Sequence, residues 1–127
     1  MKTEGKVILL FIFLLFNRVC SGQDKNRKTA LEDKVIDKIA MLPEVIRADA
    51  YCKKKSKGKR HLVTFVSANP DKEGNYYLVK VAEDNGSAFH AWYLFAVYPG
   101  TYKVEFFDSV NGKYVPLQVW RKHYRHY

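Results

Sequence analysis

From Ala30 onward the apolar positions Leu31, Val35, Ile36, Ile39 and Leu42 recur every three to four residues, while Glu32, Asp33, Lys34, Asp37 and Lys38 take the opposite side. That spacing predicts an amphipathic helix with one buried stripe. Thr29 and Glu32 fit a capping box at its start. Pro43 ends it, because the residue before a proline is pushed out of helical geometry. The period then changes to two. Val45 to Tyr51 alternates, with Ile46, Ala48 and Ala50 on one side and Arg47 and Asp49 on the other, and reads as a first strand.

Four further strands are expected at Leu62–Ala68, Tyr76–Glu83, Ala88–Tyr98 and Tyr102–Asp108, all rich in β-branched and aromatic residues. Between them lie Asn69-Pro70-Asp71, Glu73-Gly74-Asn75, Asp84-Asn85-Gly86 and Pro99-Gly100, which are strong turn signals. The Ala88–Tyr98 run is almost wholly apolar, so it is expected at the centre of the sheet, covered on both faces. After the Asn111-Gly112 turn, Val115-Pro116 leads into LQVWRKHY, expected as one or two helical turns.

The order predicts an α+β fold: one N-terminal helix packed on a curved antiparallel sheet of four to five strands, with a short C-terminal helical turn. One helix covers only one sheet face. The second face, carrying Trp92, Tyr98 or Phe107, is expected to be partly open, and both that face and a free strand edge could serve binding or homodimer formation.

Residues 1–22 differ from the rest. Lys2 and Lys6 precede an unbroken apolar run of ten residues, Val7 to Phe16, and small residues follow at Ser21 and Gly22. Ten residues are too few to cross a bilayer, which takes about 20, but they suit a secretory signal. The expectation is a signal peptide at 1–22, a flexible leader at 23–29 and a single domain at 30–127, exported to the periplasm or beyond the cell. Cys20 opens the alternative of a lipid anchor, although Asn17-Arg18-Val19 before it match the lipoprotein pattern poorly. No transmembrane segment is expected in the mature chain.

The whole chain has 127 residues and a net charge of +9; removing 1–22 takes Lys2, Lys6, Arg18 and Glu4 and leaves +7. Much of this charge sits in KKKSKGKR, read as a polar turn, where Lys53, Lys54, Lys55, Lys57, Lys59 and Arg60 are six cations in eight residues. Arg121, Lys122 and Arg125 form a second basic patch. Such clusters attract polyanions, whether nucleic acid, acidic glycans or anionic lipid head groups; nucleic acid is disfavoured by the export signal.

The layout resembles the cystatin-like and PepSY-like small secreted modules. The residues that carry this are the helix end Leu42-Pro43-Glu44-Val45, the strands YYLVKV and WYLFAVYPGTYKVEFFD, and the tail from Asn111 to Lys122. Together they look like exported proteins of Bacteroidota-type bacteria, over about residues 30–123. The Gln-x-Val-x-Gly and Pro-Trp loops of cystatin inhibitors are absent. The resemblance implies a fold, and for PepSY-type domains a role in restraining peptidases or in periplasmic binding; it assigns no residue a role.

Catalytic chemistry finds little support. No serine lies in a Gly-x-Ser-x-Gly elbow, and no glycine-rich phosphate loop exists. Cys52 precedes three lysines that would lower its pKa if it were exposed; packing at a strand end is the expected role. His123 and His126 share a helical face at the frayed terminus, without a third ligand, so no metal site and no cofactor is expected. His90 and Asp108 are the pocket candidates should a cleft exist between helix and sheet. The leading expectation is a non-enzymatic binding module for a protein or peptide partner, with Lys53–Lys55, Lys57, Lys59, Arg60, Trp92 and Tyr98 as contact residues. The alternatives are a polyanion-binding module using 53–60 and a small enzyme using the helix–sheet pocket.

Overall fold

Why Val45–Tyr51 does not form a strand is settled by a competition between two periods. In the computed structural model, which describes residues 29–71 and 74–123, this segment lies inside the helix α2, Pro43–Lys55. The expected strand face would bury Ile46, Ala48 and Ala50. Instead Val45, Ala48 and Cys52 are buried, and Ile46 is 55% exposed. Pro43 stands in the first helical turn, where a missing N–H costs nothing. Glu44 in the first turn and Lys53, Lys54 and Lys55 in the last complement the helix dipole. The proline therefore does end the preceding helix, α1 (29–40), but it starts another one at once. Thr29, expected as the cap of α1, is itself helical.

The chain divides into two units, Met1–Asp33 and Lys34–Tyr127. Of the first, residues 29–33 are described, and they are helical. The expected signal segment, the leader up to residue 28, Arg125 and His126 lie outside the described residues.

The second unit holds one antiparallel sheet. Its strands are β1 (His61–Ala68), β2 (Tyr77–Asp84), β3 (Phe89–Val97), β4 (Val104–Asp108) and β5 (Lys113–Pro116), in spatial order β1-β2-β3-β4-β5. The protein is thus α+β, as the sequence led us to expect. The fifth strand, however, is 113–116 and not 45–51. Lys113–Pro116 is drawn into the sheet because the Asn111-Gly112 turn folds it back on β4, pairing Phe107 with Tyr114 and Asp108 with Lys113. Helix α3 (Leu117–His123) follows directly. β4 starts at Val104, later than expected, since Tyr102 takes a left-handed conformation at φ 54°.

One sheet face carries the core. Val79, Val81, Phe95, Val97 and Val104 are buried there together with Val35, Ile39, Val45 and Trp120. Trp120 stacks on Phe106 at 4.7 Å and meets Phe95 and Tyr93 edge-on at 5.4 Å. The single covering helix of the sequence reading is therefore replaced by residues from three helices. On the opposite face Tyr76, Tyr98, Phe107 and Tyr114 form a chain of tilted ring contacts at 5.1–5.5 Å and stay half-buried. β3 is central but is not covered throughout: Phe89, His90 and Ala91 are exposed, and only Phe95, Ala96 and Val97 are buried.

A bulge in β3 reorients one aromatic residue. Val81 pairs with Tyr93 and Ala82 with Ala91, leaving Trp92 as the extra residue. Trp92 thereby turns toward α2, its ring 6.4 Å from that of Tyr51. It does not join Tyr98 and Phe107 on the open face as expected.

Candidate binding cleft

The basic stretch is not simply a polar turn. Its first half is the last turn of α2, and its second half is the connection into β1. Ser56 closes the helix: its Oγ donates to the Cys52 carbonyl at 2.8 Å and accepts from the Arg60 N–H at 2.8 Å. Gly58 (φ 80°) returns its N–H to the Lys53 carbonyl at 2.7 Å, a conformation that suits glycine. Asp49 then fastens helix to strand, accepting from the Leu62 N–H at 2.8 Å and pairing with Lys53 at 2.9 Å. Burial opposes its charge, but these two partners prevail, and the carboxyl sits below its ordinary range.

This corner encloses a cleft of about 360 Å³, lined by Tyr51, Cys52, Lys55, Ser56, Lys59, Arg60, Glu83 and Trp92. Glu83 lies at its centre. Trp92 Nε1 donates to Glu83 Oε2 at 3.1 Å, and Arg60 Nη1 to Oε1 at 3.2 Å. The Trp92 bond first, and the Arg60 bond next, hold this carboxyl below its ordinary pKa, so it stays an anion at neutral pH. Lys55 reaches over the Tyr51 ring at 5.7 Å, within cation–π range.

Cys52 is 3% exposed and free. Burial, and next the charge of Glu83, push its thiol pKa up. The effect that three neighbouring lysines would have on an exposed thiol is thus overturned, because the side chain faces the core side of α2 and not its cationic surface. The thiol is protonated at neutral pH, and Glu83 is ionised and doubly held. The cleft brings together three cations, two aromatic rings and one fixed anion.

Of the residues expected to make contacts, Lys55, Lys59, Arg60 and Trp92 converge on this cleft. Lys53 is occupied by Asp49, and Lys54 and Lys57 are exposed outside it. Tyr98 is elsewhere, on the open sheet face. Its hydroxyl donates to Glu105, and with burial this pushes its pKa up to about 12. The pocket candidates do not form a pocket. His90 is exposed. Asp108 is 3% exposed and is the acceptor that closes its own turn, taking the Val110 N–H at 3.0 Å, the Asn111 N–H at 3.3 Å and Asn111 Nδ2 at 2.6 Å. Two other clefts, both bordered by Lys38 and Tyr102, include neither residue.

The sequence reading missed Tyr51, Ser56 and Glu83. The i, i+4 spacing of Tyr51 and Lys55 would have paired them on a helix, but the strand assignment hid it. Glu83 joins the cleft only through strand register. Among the described residues no group of three or more His, Cys, Asp or Glu could hold a metal ion, and no helix is long and apolar enough to cross a membrane. No family model matches the chain, and neither a curated protein nor a solved structure is similar to it. The class that the geometry defines is an α+β domain with a five-stranded antiparallel meander and a cationic, aromatic-walled corner cleft.

Proposed function

We propose that the protein is an exported, non-enzymatic binding module that takes an acidic segment of a partner protein or peptide into the α2–β1 corner cleft. The observation that carries this reading is the convergence of Lys55, Lys59 and Arg60 with the Tyr51 and Trp92 rings around one concave site. Rim cations select an anionic group and steer its approach; the rings receive an adjacent apolar side chain. A long polyanion fits less well, since Glu83 places a fixed negative charge inside the site and Asp49 occupies Lys53.

The test is a fluorescence titration with a short peptide that alternates glutamate with phenylalanine. Trp92 lines the cleft, whereas Trp120 is buried in the core, so a change in emission reports on the site. Saturable binding that weakens with salt and is lost in Lys55→Glu/Lys59→Glu supports the reading. A heparin-type polyanion that binds more tightly than the peptide, and is lost on neutralising Lys53 to Lys55, supports the polyanion alternative instead. Absence of binding by both refutes the cleft as a binding site.

A further inference from the structure

The two edges of the sheet are built differently. β5 is four residues long, ends in Pro116 and runs straight into α3. A short strand closed by proline is a protected edge. β1 is eight residues long, and from Leu62 to Ala68 it has no charge and no proline. Its pairing with β2 is regular from His61 to Val66 and is broken only by the bulge at Ser67.

The direction of its unpaired groups follows from one bond. Leu62 donates its N–H to Asp49 and not to β2. In an antiparallel strand the N–H and C=O groups of alternate residues point the same way. Thr64 and Val66 therefore present their backbone groups to the outer edge, where no described residue pairs with them. Exposed apolar surface lies beside this edge. Phe89 is 61% exposed, and its ring meets that of Phe65 at 5.6 Å. On α2, Ile46 lies three residues before Asp49, hence on the same stripe one turn along, and is 55% exposed.

We infer that this edge is the interface with a second copy of the chain, paired antiparallel about a two-fold axis at Phe65. Thr64 of each copy exchanges backbone hydrogen bonds with Val66 of the other, and the two Phe65 residues face each other as a close, non-hydrogen-bonded pair. The register is selected by Asp49: an axis at Thr64 would require the Leu62 N–H, which is already held, whereas an axis at Phe65 uses free groups only. The open-face rings Phe65 and Phe89 then join their counterparts in one strip. Charge also fits. Arg60 precedes the strand by one residue, so the two basic corners end roughly 33 Å apart at ~3.3 Å per residue, well beyond the screening length. Each faces the end of the other strand, which is followed by Asp71. The inference is independent of what the cleft binds.

Light scattering and sedimentation of the purified chain over a range of concentrations should give a reversible species of twice the chain's mass. Phe65→Lys, which sets two cations opposite each other, should return it to monomer with an unchanged circular dichroism spectrum. If that variant fails to fold, Ile46→Lys serves the same purpose from the helix side. In a Cys20→Ser background, Phe65→Cys should give an oxidised dimer, which Lys80→Cys on the neighbouring strand should not. A monomer at all concentrations overturns the proposal. So does an oligomer unchanged by both lysine substitutions, because its contacts lie elsewhere.

Discussion

Arg121 Nε lies 2.6 Å from Glu44 Oε1 although 77 residues separate them, and Glu44 is only 5% exposed. This bond fastens the first turn of α2 to α3, the last described helix. Arg121 was read from the sequence as part of a basic patch, and it is a structural clasp.

Arg121→Ala removes the cation that is paired with a buried carboxylate. Breaking a buried pair typically costs 3–5 kcal/mol, and the arginine side chain is 41% exposed, so a loss of about 2–3 kcal/mol is expected in urea denaturation. Glu44→Gln, which leaves behind only the partly exposed Arg121 cation, should cost less.

Trp120→Ala removes the ring that stacks on Phe106 and fills the space over Phe95. The expected loss is about 3–5 kcal/mol, the range for deleting a large buried aromatic. Near-ultraviolet circular dichroism should weaken in parallel. A cost below about 1 kcal/mol would mean that α3 does not contribute to the core.

Asp49 contributes to the acid limb of stability. Its pKa in the fold is lowered, so its contribution is present above the unfolded value of about 3.9 and is lost as pH falls through the folded one. Asp49→Asn keeps an acceptor for the Leu62 N–H but loses the charge. It should destabilise by about 1 kcal/mol at neutral pH, and chemical denaturation below about pH 4 should show a flatter pH dependence than the parent.

Tyr98 contributes to the alkaline limb. Its hydroxyl gives its proton to the bond with Glu105, and its pKa is about 12. The unfolded phenol ionises near 10, so the stability due to Tyr98 is intact below about pH 10 and falls as pH rises toward 12. Tyr114 is also raised, by burial first, so absorbance at the phenolate band should show late-titrating tyrosines, of which Glu105→Gln shifts the latest downward. An unchanged titration in that variant would show that Glu105 is not the cause.

Much of the sheet was legible in the chain. Leu62–Ala68, Tyr76–Glu83 and Ala88–Tyr98 alternate or run apolar between turn residues, and β1, β2 and β3 fall within a residue of those bounds. The reason is local. Asp84 and Asn85 accept N–H groups from the residues just after them, so the turn is written in neighbouring side chains. The candidate site was half legible. A run of cations is visible in any sequence, but the cleft it borders is not.

Three features depended on contacts distant in the chain. Val45–Tyr51 fits both periods over so short a window, and the burial of Val45, Ala48 and Cys52 against the sheet decides for helix. Trp92 carries no mark of a bulge; which face it joins follows from the register of β3 against β2, and a shift of one residue reverses every side chain beyond it. Lys113–Pro116 is too short to hold as a strand alone and exists because β4 is beside it.

By itself, then, the sequence determined an α+β chain, its turns and its basic stretch, since these rest on residues close in sequence. Tertiary structure alone decided that the cations of 53–60 would meet Trp92 and Glu83, that Arg121 would serve Glu44, and that β1 would be left as the open edge. Those outcomes rest on register and on helix placement, which are set by free energy summed over the whole core and not by any local segment.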